Sequence, residues 1–294
     1  MVTKDGISRK IFNVVNVVVL SGIMLICILP FVHLFALSLS GSAAASAGIV
    51  SFWPVDFTLK SYSFLLEKSD FVVALGVTLK RVLLGTTINM LLVVLTAYPL
   101  SKKPERFRHR TAFAWFFMFT NFFSGGTIPN FMLIRNLGLF DTIWALVLPG
   151  AVAVGNVVLL LNFFRSVPAS LEEAAMIDGA NQFQILFRVY LPVSLPALAT
   201  ILLFTVVGHW NAWFDGILYM NSPANYPLQS YLSTLNVDVN TSLMTSDQLA
   251  TLKNVTDETL KAAQIFLGTL PIMLVYPFLQ KYFVKGIVLG SVKE

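Results

Sequence analysis

A polar segment at positions 171–181 separates two long apolar runs and carries three carboxylates, Glu172, Glu173 and Asp178. Side chains of this type cap helix ends or contact a partner surface. Ser170 and Glu173 have the spacing of a capping box, in which the serine hydroxyl and the glutamate carboxylate satisfy the first free amides of a helix. The pattern therefore predicts a helix that begins near Ser170.

A second short helix is predicted directly after the first. Gly179 permits a turn that a side chain would resist, and Asn181 with Gln184 repeats the capping pattern. Pro168 suits the first turn of the first helix, so the whole segment reads as a helical hairpin at 168–188. Its apolar residues exceed what a solvated loop needs: Leu171, Ala174, Ala175, Ile177 and Phe183. Two interpretations stay open: the hairpin docks into a partner protein, or it is amphipathic and lies on the membrane surface.

A second group of chemically useful residues lies at 208–215, near the end of a later apolar run. It comprises His209, Trp210, Asn211, Trp213 and Asp215. Aromatic faces with amide and carboxylate groups suit sugar binding, because a sugar ring presents apolar C–H faces edged by hydroxyls. We therefore predict that these residues line a substrate path. The alternative is an interfacial aromatic belt, with the polar side chains in hydrogen bonds between helices.

Several chemistries are excluded or disfavoured. The chain has no G-x-x-x-x-G-K-[ST] phosphate loop, so ATP is not bound here. Three dispersed histidines (His33, His109 and His209) predict no metal site. The single Cys27 excludes a disulfide within the chain and makes a cysteine-based metal cluster improbable. No catalytic set is evident, and we expect neither an enzyme nor a bound cofactor.

Composition places these groups in a membrane protein. Of 294 residues, 56% are hydrophobic and 12% are charged, against about 25% charged residues in soluble domains. We predict an all-α fold with six spans, since the apolar runs are too long for barrel strands. The predicted spans are about 11–39, 71–100, 111–133, 142–164, 190–220 and 262–284.

Two details of these spans are predicted separately. The third span is interrupted at Ser124–Pro129, so a helix that ends near Ser124 and continues as a bent segment fits equally well. In the second span Asn89, with Thr86 and Thr87, is expected to bond between helices rather than to line a passage.

Basic residues predict the orientation. A cluster from Lys102 to Arg110 marks a cytoplasmic segment by the positive-inside rule. Both termini and the hairpin at 168–188 then lie on the cytoplasmic side of a multi-pass protein of the cell membrane. The formal charge of +5 is read as topology rather than as a sign of nucleic-acid binding.

The hairpin also resembles a family motif. Glu173-Ala174-Ala175, then Gly179 after three residues, then Val189-Tyr190-Leu191-Pro192 after nine more, is similar to the EAA motif of binding-protein-dependent ABC importers. Val189 stands where isoleucine is usual. The segments that resemble the carbohydrate-uptake branch are 122–129, 137–139, 148–150, 208–211 and 276–286. Within it the chain is most similar to LplC/YtcP-type permeases for oligosaccharides and polysaccharide fragments, and similar to the second permease subunit of alginate importers.

The resemblance implies a fold, partners and residue roles. The fold is the type I importer transmembrane domain over 1–294, paired with a second homologous permease as a heterodimer. Two cytoplasmic ATPase subunits would use ATP and Mg, and an extracytoplasmic binding protein would deliver an oligosaccharide. Glu173 would make the main polar contact with the ATPase. The implied coupling residues are Glu172, Glu173, Ala174, Ala175, Asp178, Gly179, Leu191 and Pro192.

Three alternatives remain. An ABC permease could carry a non-sugar polar solute or a modified peptide. A secondary carrier would need charge pairs within the membrane for ion coupling, and the spans hold almost no charge apart from Asp215. An assembly or scaffold protein without a pathway would leave the EAA spacing unexplained.

Overall fold

The computed structural model describes the backbone of residues 7–67, 69–234 and 257–291, and the side chains of residues 8–67, 70–234 and 258–277. Every regular element within these ranges is helical, as the composition predicts. The chain divides into two compact units, one of residues 1–69 and 237–270 and one of residues 70–236 and 271–294.

The first unit contains a long apolar helix, α1 (Ile7–Ser38), and two short helices, α2 (Ser42–Ser46) and α3 (Lys60–Glu67). The side chains of α1 are exposed over most of its length and become buried near its end, at Ala36 and Ser38. There the Ser38 hydroxyl lies 2.7 Å from the Tyr62 hydroxyl. The first part of helix α15 (Asp257–Ser291) also belongs to this unit.

The second unit holds the remaining elements. They are α4 (Ser69–Ser101), α5 (Arg110–Phe122), α6 (Thr127–Asn136), α7 (Ile143–Val147), α8 (Val154–Ser166), α9 (Ala169–Ile177), α10 (Gln182–Ile185), a π-helical turn (Leu186–Tyr190), α11 (Leu191–Val193), α12 (Leu195–Asn211), α13 (Phe214–Tyr219), a 3₁₀ turn (Pro223–Asn225) and α14 (Leu228–Thr234). Its main core joins α4, α8, α10 and α12 through fully buried side chains, among them Val93, Leu160, Ile185 and Ile201.

Three described helices are long and apolar enough to cross a membrane: Ser8–Ser38, Asp70–Ser101 and Glu258–Pro277. They lie where the first, second and sixth spans are predicted. Two further helix pairs pass the same test together but are bent, α8 with α9 by 73° and Gln182–Val193 with α12 by 83°. The six-span prediction is compatible with these helices, although the described helices do not fix that count.

The third predicted span is broken, because α5 ends at Phe122 and α6 begins at Thr127. Gly126 adopts a φ of 88°, a left-handed conformation that favours glycine. The alternative of a helix that ends near Ser124, followed by a bent segment, is therefore the arrangement found.

The fourth and fifth predicted spans also differ from continuous helices. Positions 148–153, with Pro149 and Gly150, separate α7 from α8, and the fifth breaks at Ser194 and again at Ala212. Carbonyls freed by such breaks need partners in a membrane. The Asn89 amide donates to the carbonyls of Gly150 (3.3 Å) and Ala151 (3.2 Å). The Arg81 guanidinium donates to the carbonyl of Ala212 (3.3 Å).

Candidate functional site

The first helix of the hairpin, α9, begins at Ala169 after Pro168. The predicted capping box of Ser170 and Glu173 does not form, and no side chain caps this helix. The reason is position, since the helix begins before Ser170 and places that hydroxyl inside the first turn. The Leu171 amide bonds instead to the carbonyl of Pro168 at 3.1 Å.

The turn and the second helix follow the prediction. Gly179 has a φ of 80° and its amide donates to the carbonyl of Met176 at 3.0 Å. The Asn181 carboxamide oxygen accepts from the Gln184 amide at 2.9 Å, and the Gln184 side chain accepts from the Asn181 amide at 2.8 Å. This reciprocal capping box starts α10 and confirms the predicted second cap.

A buried polar cluster fastens the hairpin to the end of α4. The Lys102 ammonium lies 2.9 Å from a Glu172 carboxylate oxygen, and the Tyr190 hydroxyl donates to the other oxygen at 2.6 Å. The same ammonium lies over the rings of Tyr98 (4.0 Å) and Tyr190 (4.1 Å). The Tyr98 hydroxyl donates to the Gln182 side chain at 2.9 Å. We name these five residues the Lys102 cluster.

The electrostatics of the pair follow from burial and from its partners. Burial lowers the pKa of Lys102 below its ordinary value, more than the contacts with Glu172 raise it. Burial acts in the opposite sense on Glu172. The hydrogen bonds from Tyr190 and Lys102, with the charges of Lys102 and Arg106, nevertheless bring the pKa of Glu172 below its ordinary value. The contacts with Tyr190 and Lys102 therefore favour the carboxylate form of Glu172.

The coupling residues predicted from the sequence divide between two faces. Glu172 and Ala175 turn inward, Ala175 against the main core. Glu173, Ala174, Asp178 and Gly179 are exposed, beside apolar side chains at the hairpin tip. Of these Ile177 is 86% exposed and Phe183 is 67% exposed. Leu191 and Pro192 lie apart from this surface, in the short helix that leads into α12.

A cleft also opens beside the Lys102 cluster. A cavity of about 630 Å³ is lined by residues of the end of α4, the following loop, the start of α5, α8, α9 and the π turn. Five of its lining residues are basic: Lys102, Lys103, Arg106, Arg110 and Arg165. The Arg110 and Arg165 guanidinium groups donate to the carbonyls of Lys102 (3.0 Å) and Leu100 (3.5 Å). These two arginines thus satisfy carbonyls at the end of α4.

The second predicted site does not form one face on this chain. Trp210 is buried, His209 is partly buried against Gly85, and Asn211 and Trp213 are exposed. The helix ends at Asn211, so Trp213 begins a new turn. The predicted sugar-path residues therefore have different environments in this chain, with Asn211 and Trp213 accessible.

Asp215 has a partner that the sequence interpretation missed. The Arg81 guanidinium on α4 contacts both carboxylate oxygens, with one distance of 3.0 Å, and also bonds to the Ala212 carbonyl. The Arg81 side chain is 3% exposed and that of Asp215 is 28% exposed. The signal available in the sequence was that Asp215 lies in a largely apolar run, where a carboxylate usually pairs with a base from another helix.

Metal ligation has no candidate in the described ranges, where no group of three or more His, Cys, Asp or Glu side chains could hold an ion. Asn89 bonds between elements as expected, because its side chain also accepts from the Thr205 hydroxyl of α12 at 3.1 Å.

Comparison with known proteins identifies the family of this chain. Residues 104–289 match the family described as the binding-protein-dependent transport system inner membrane component. The chain is 37% identical to protein LplC of Bacillus subtilis over 99% of this chain and 97% of that protein. It is 39% identical to the polygalacturonan/rhamnogalacturonan transport system permease protein YtcP of the same organism, over 92% and 93%.

A solved structure is also similar. The crystal structure of a bacterial ABC transporter involved in the import of the acidic polysaccharide alginate contains a chain that aligns with a TM-score of 0.86 and 36% identity, over 96% of this chain and 99% of that chain. The resemblance drawn from the EAA spacing is confirmed. The chain belongs to the binding-protein-dependent transport system inner membrane components and is a permease subunit of an ABC importer, a transport subunit rather than an enzyme.

Proposed function

We propose that this permease moves oligosaccharides or polysaccharide fragments into the cytoplasm, driven by two ATPase subunits. A second homologous permease completes the pathway, and an extracytoplasmic binding protein delivers the sugar. The observation that carries the proposal is the two-faced hairpin, with an exposed acidic and apolar tip and an inner face fixed to the spans. The hairpin and both termini lie on the cytoplasmic side in this proposal.

The exposed face of the hairpin is the proposed ATPase contact. Glu173 offers a free carboxylate, and the adjacent Ala174 permits close approach of a partner backbone. Ile177 and Phe183 expose apolar surface that a partner would remove from water. Closure of the ATPases would push this face, and the permeases would switch from inward-facing to outward-facing. Sugar passes from the binding protein into the pathway between the two permeases and is released inward after ATP hydrolysis.

The cargo is proposed from the relatives and from the path residues. YtcP is named for polygalacturonan and rhamnogalacturonan, and the solved transporter imports alginate. Fragments of acidic polysaccharides are therefore the first substrates to test. On this chain Asn211 and Trp213 are the accessible members of the predicted path, while Trp210 is buried and Asp215 is paired with Arg81. We propose that Asn211 and Trp213 make the sugar contacts.

The Arg81–Asp215 pair bears on the competing carrier. A secondary carrier is expected to hold charge pairs within the membrane for ion coupling, and Arg81 with Asp215 is such a pair. The guanidinium also holds the Ala212 carbonyl at a helix break, which gives the pair a structural role without ion coupling. The family assignment independently favours ATP-driven import.

The test is reconstitution in proteoliposomes with the partner permease, ATPase and binding protein. Fragments of polygalacturonan, rhamnogalacturonan and alginate would be screened for stimulated ATP hydrolysis and for uptake. No stimulation by any of them would contradict the proposed cargo. Glu173→Ala should hydrolyse ATP without uptake while the binding protein keeps its sugar affinity. Glu105→Ala, which removes an exposed carboxylate outside the hairpin, is the matched control. Normal uptake by Glu173→Ala would remove Glu173 from the mechanism.

A further inference from the structure

The Lys102 cluster joins three parts of the chain that a coupling hairpin must hold together. Tyr98 lies near the end of α4 and Lys102 directly follows that helix, while Glu172 lies on α9. Tyr190 closes the π turn that leads into the fifth predicted span. One buried ammonium contacts a carboxylate and two aromatic rings at the same time. The hairpin is thus fixed to two spans at a single point.

Burial restricts the geometry of the contact between Lys102 and Glu172. The Lys102 side chain is 9% exposed and that of Glu172 is 14% exposed. Neither charge is stable at such a site without the other. A surface ion pair would tolerate many orientations, whereas this pair requires α9 to stay at one distance from the end of α4.

The π turn adds a second constraint. The Leu191 amide bonds to the carbonyl of Leu186, five residues earlier, so this turn holds one residue more than an α-helical turn. Tyr190 is buried there, although Phe187 and Arg188 in the same turn are exposed. The hydroxyl of Tyr190 reaches Glu172 from this position. The cluster therefore orients the turn at which the hairpin meets the fifth span.

The hairpin has two points where it could otherwise pivot. One is the 73° bend between α8 and α9, and the other is the turn at Gly179. We propose that Lys102, Glu172 and Tyr190 are positioning residues that prevent this pivoting, so that displacement of the hairpin moves α4 and the fifth span together. The inference rests on the proposed coupling role, and it assigns Glu172 to an internal contact rather than to the ATPase.

The test compares sugar uptake with ATP hydrolysis in the reconstituted transporter. A variant that merely folds less well loses uptake and hydrolysis in proportion, so the number of sugars moved per ATP is unchanged. Lys102→Met should lower that ratio by about fivefold or more, the fold-change that corresponds to a loss of about 1 kcal/mol of coupling free energy. Lys102→Arg retains a cation for Glu172 and the two rings, and should lower the ratio much less than Lys102→Met does. Lys103→Met, at the exposed neighbouring lysine, is the matched control.

Tyr190→Phe is the milder variant, because it keeps the ring beneath the ammonium and removes one hydrogen bond to Glu172. It should lower the ratio less than Lys102→Met does. A ratio unchanged in both Lys102→Met and Tyr190→Phe would overturn the inference, as would an equal loss in Lys103→Met.

A second measurement separates this inference from the proposed function. Spin labels at Leu91→Cys on α4 and Ile177→Cys on the hairpin, with Cys27→Ala as background, report their distance in the permease pair without ATPase or sugar. Both labelled positions are exposed. The wild-type cluster should give a narrow distribution and Lys102→Met a broader one. Equal widths would overturn the inference, whereas broadening without sugar-stimulated hydrolysis in wild type would support it and contradict only the proposed cargo.

Discussion

Removing one member of the Arg81–Asp215 pair should destabilise the permease more than removing both. Asp215→Asn leaves the Arg81 side chain, which is 3% exposed, without a carboxylate partner, so that the Ala212 carbonyl is the acceptor that remains from this contact. This variant should cost about 3 kcal/mol of unfolding free energy. Arg81→Met leaves a carboxylate that is 28% exposed and still accepts from the Gly216 amide, and should cost about 2 kcal/mol. The double variant leaves no buried charge, and its cost should be about 1 kcal/mol.

The assay is unfolding in mixed micelles by increasing SDS, followed by tryptophan fluorescence. Arg81→Lys serves as the conservative control, since it keeps the charge and loses the two-pronged geometry. The double variant should be more stable than Asp215→Asn alone, a large departure from additivity for residues in contact. Additive losses, with the double variant the least stable, would show that the pair does not hold the break at Ala212.

Three further predictions concern stability. The pKa of Glu172 lies below its ordinary 4.5, so its pairing stabilises the fold at neutral pH, and this stabilisation is lost as the pH falls through the lowered pKa. The difference in unfolding free energy between wild type and Glu172→Gln should therefore shrink on acidification. A difference that stays constant with pH would contradict this. Gly85→Ala places a Cβ against the His209 ring and should cost about 1–3 kcal/mol of unfolding free energy in the SDS assay. The double variant Gly85→Ala/His209→Ala should lose less stability, because the ring is gone. Equal losses in the two variants would refute the clash. Asn181→Ala should cost about 1 kcal/mol and speed amide exchange in α10, and unchanged exchange would show that the cap is dispensable.

The hairpin shows how far local sequence rules reach. Gly179 and the Asn181–Gln184 cap were predictable because each depends on residues within one turn. The Ser170 cap was wrong because α9 begins at Ala169, and the starting residue of a helix depends on how it packs. Glu172 pairs with Lys102, which is 70 positions earlier in the chain. Local spacing cannot identify such a partner.

In the spans, too, some features could be predicted from the local sequence and others depend on distant residues. Hydrophobic length located the long helices, and the Ser124–Pro129 interruption was visible as a run of poor helix formers. Hydrophobicity alone did not reveal the breaks after Val147 and Asn211, because the residues there are also apolar. Asn89 and Arg81 of α4 satisfy carbonyls that those breaks free. Such partners on another helix could not be read from the local sequence.

The break between α7 and α8 bears on the order in which the chain settles into the bilayer. With five and 13 residues, neither helix is long enough to cross a hydrocarbon core of about 30 Å at about 1.5 Å per residue. The carbonyls of Gly150 and Ala151 between them are satisfied by Asn89 of α4, which leaves the ribosome earlier. These carbonyls therefore have their partner only when α4 is packed beside the segment from α7 to α8. An earlier span thus supplies the amide that a later broken span requires, and the later one is complete only in its company.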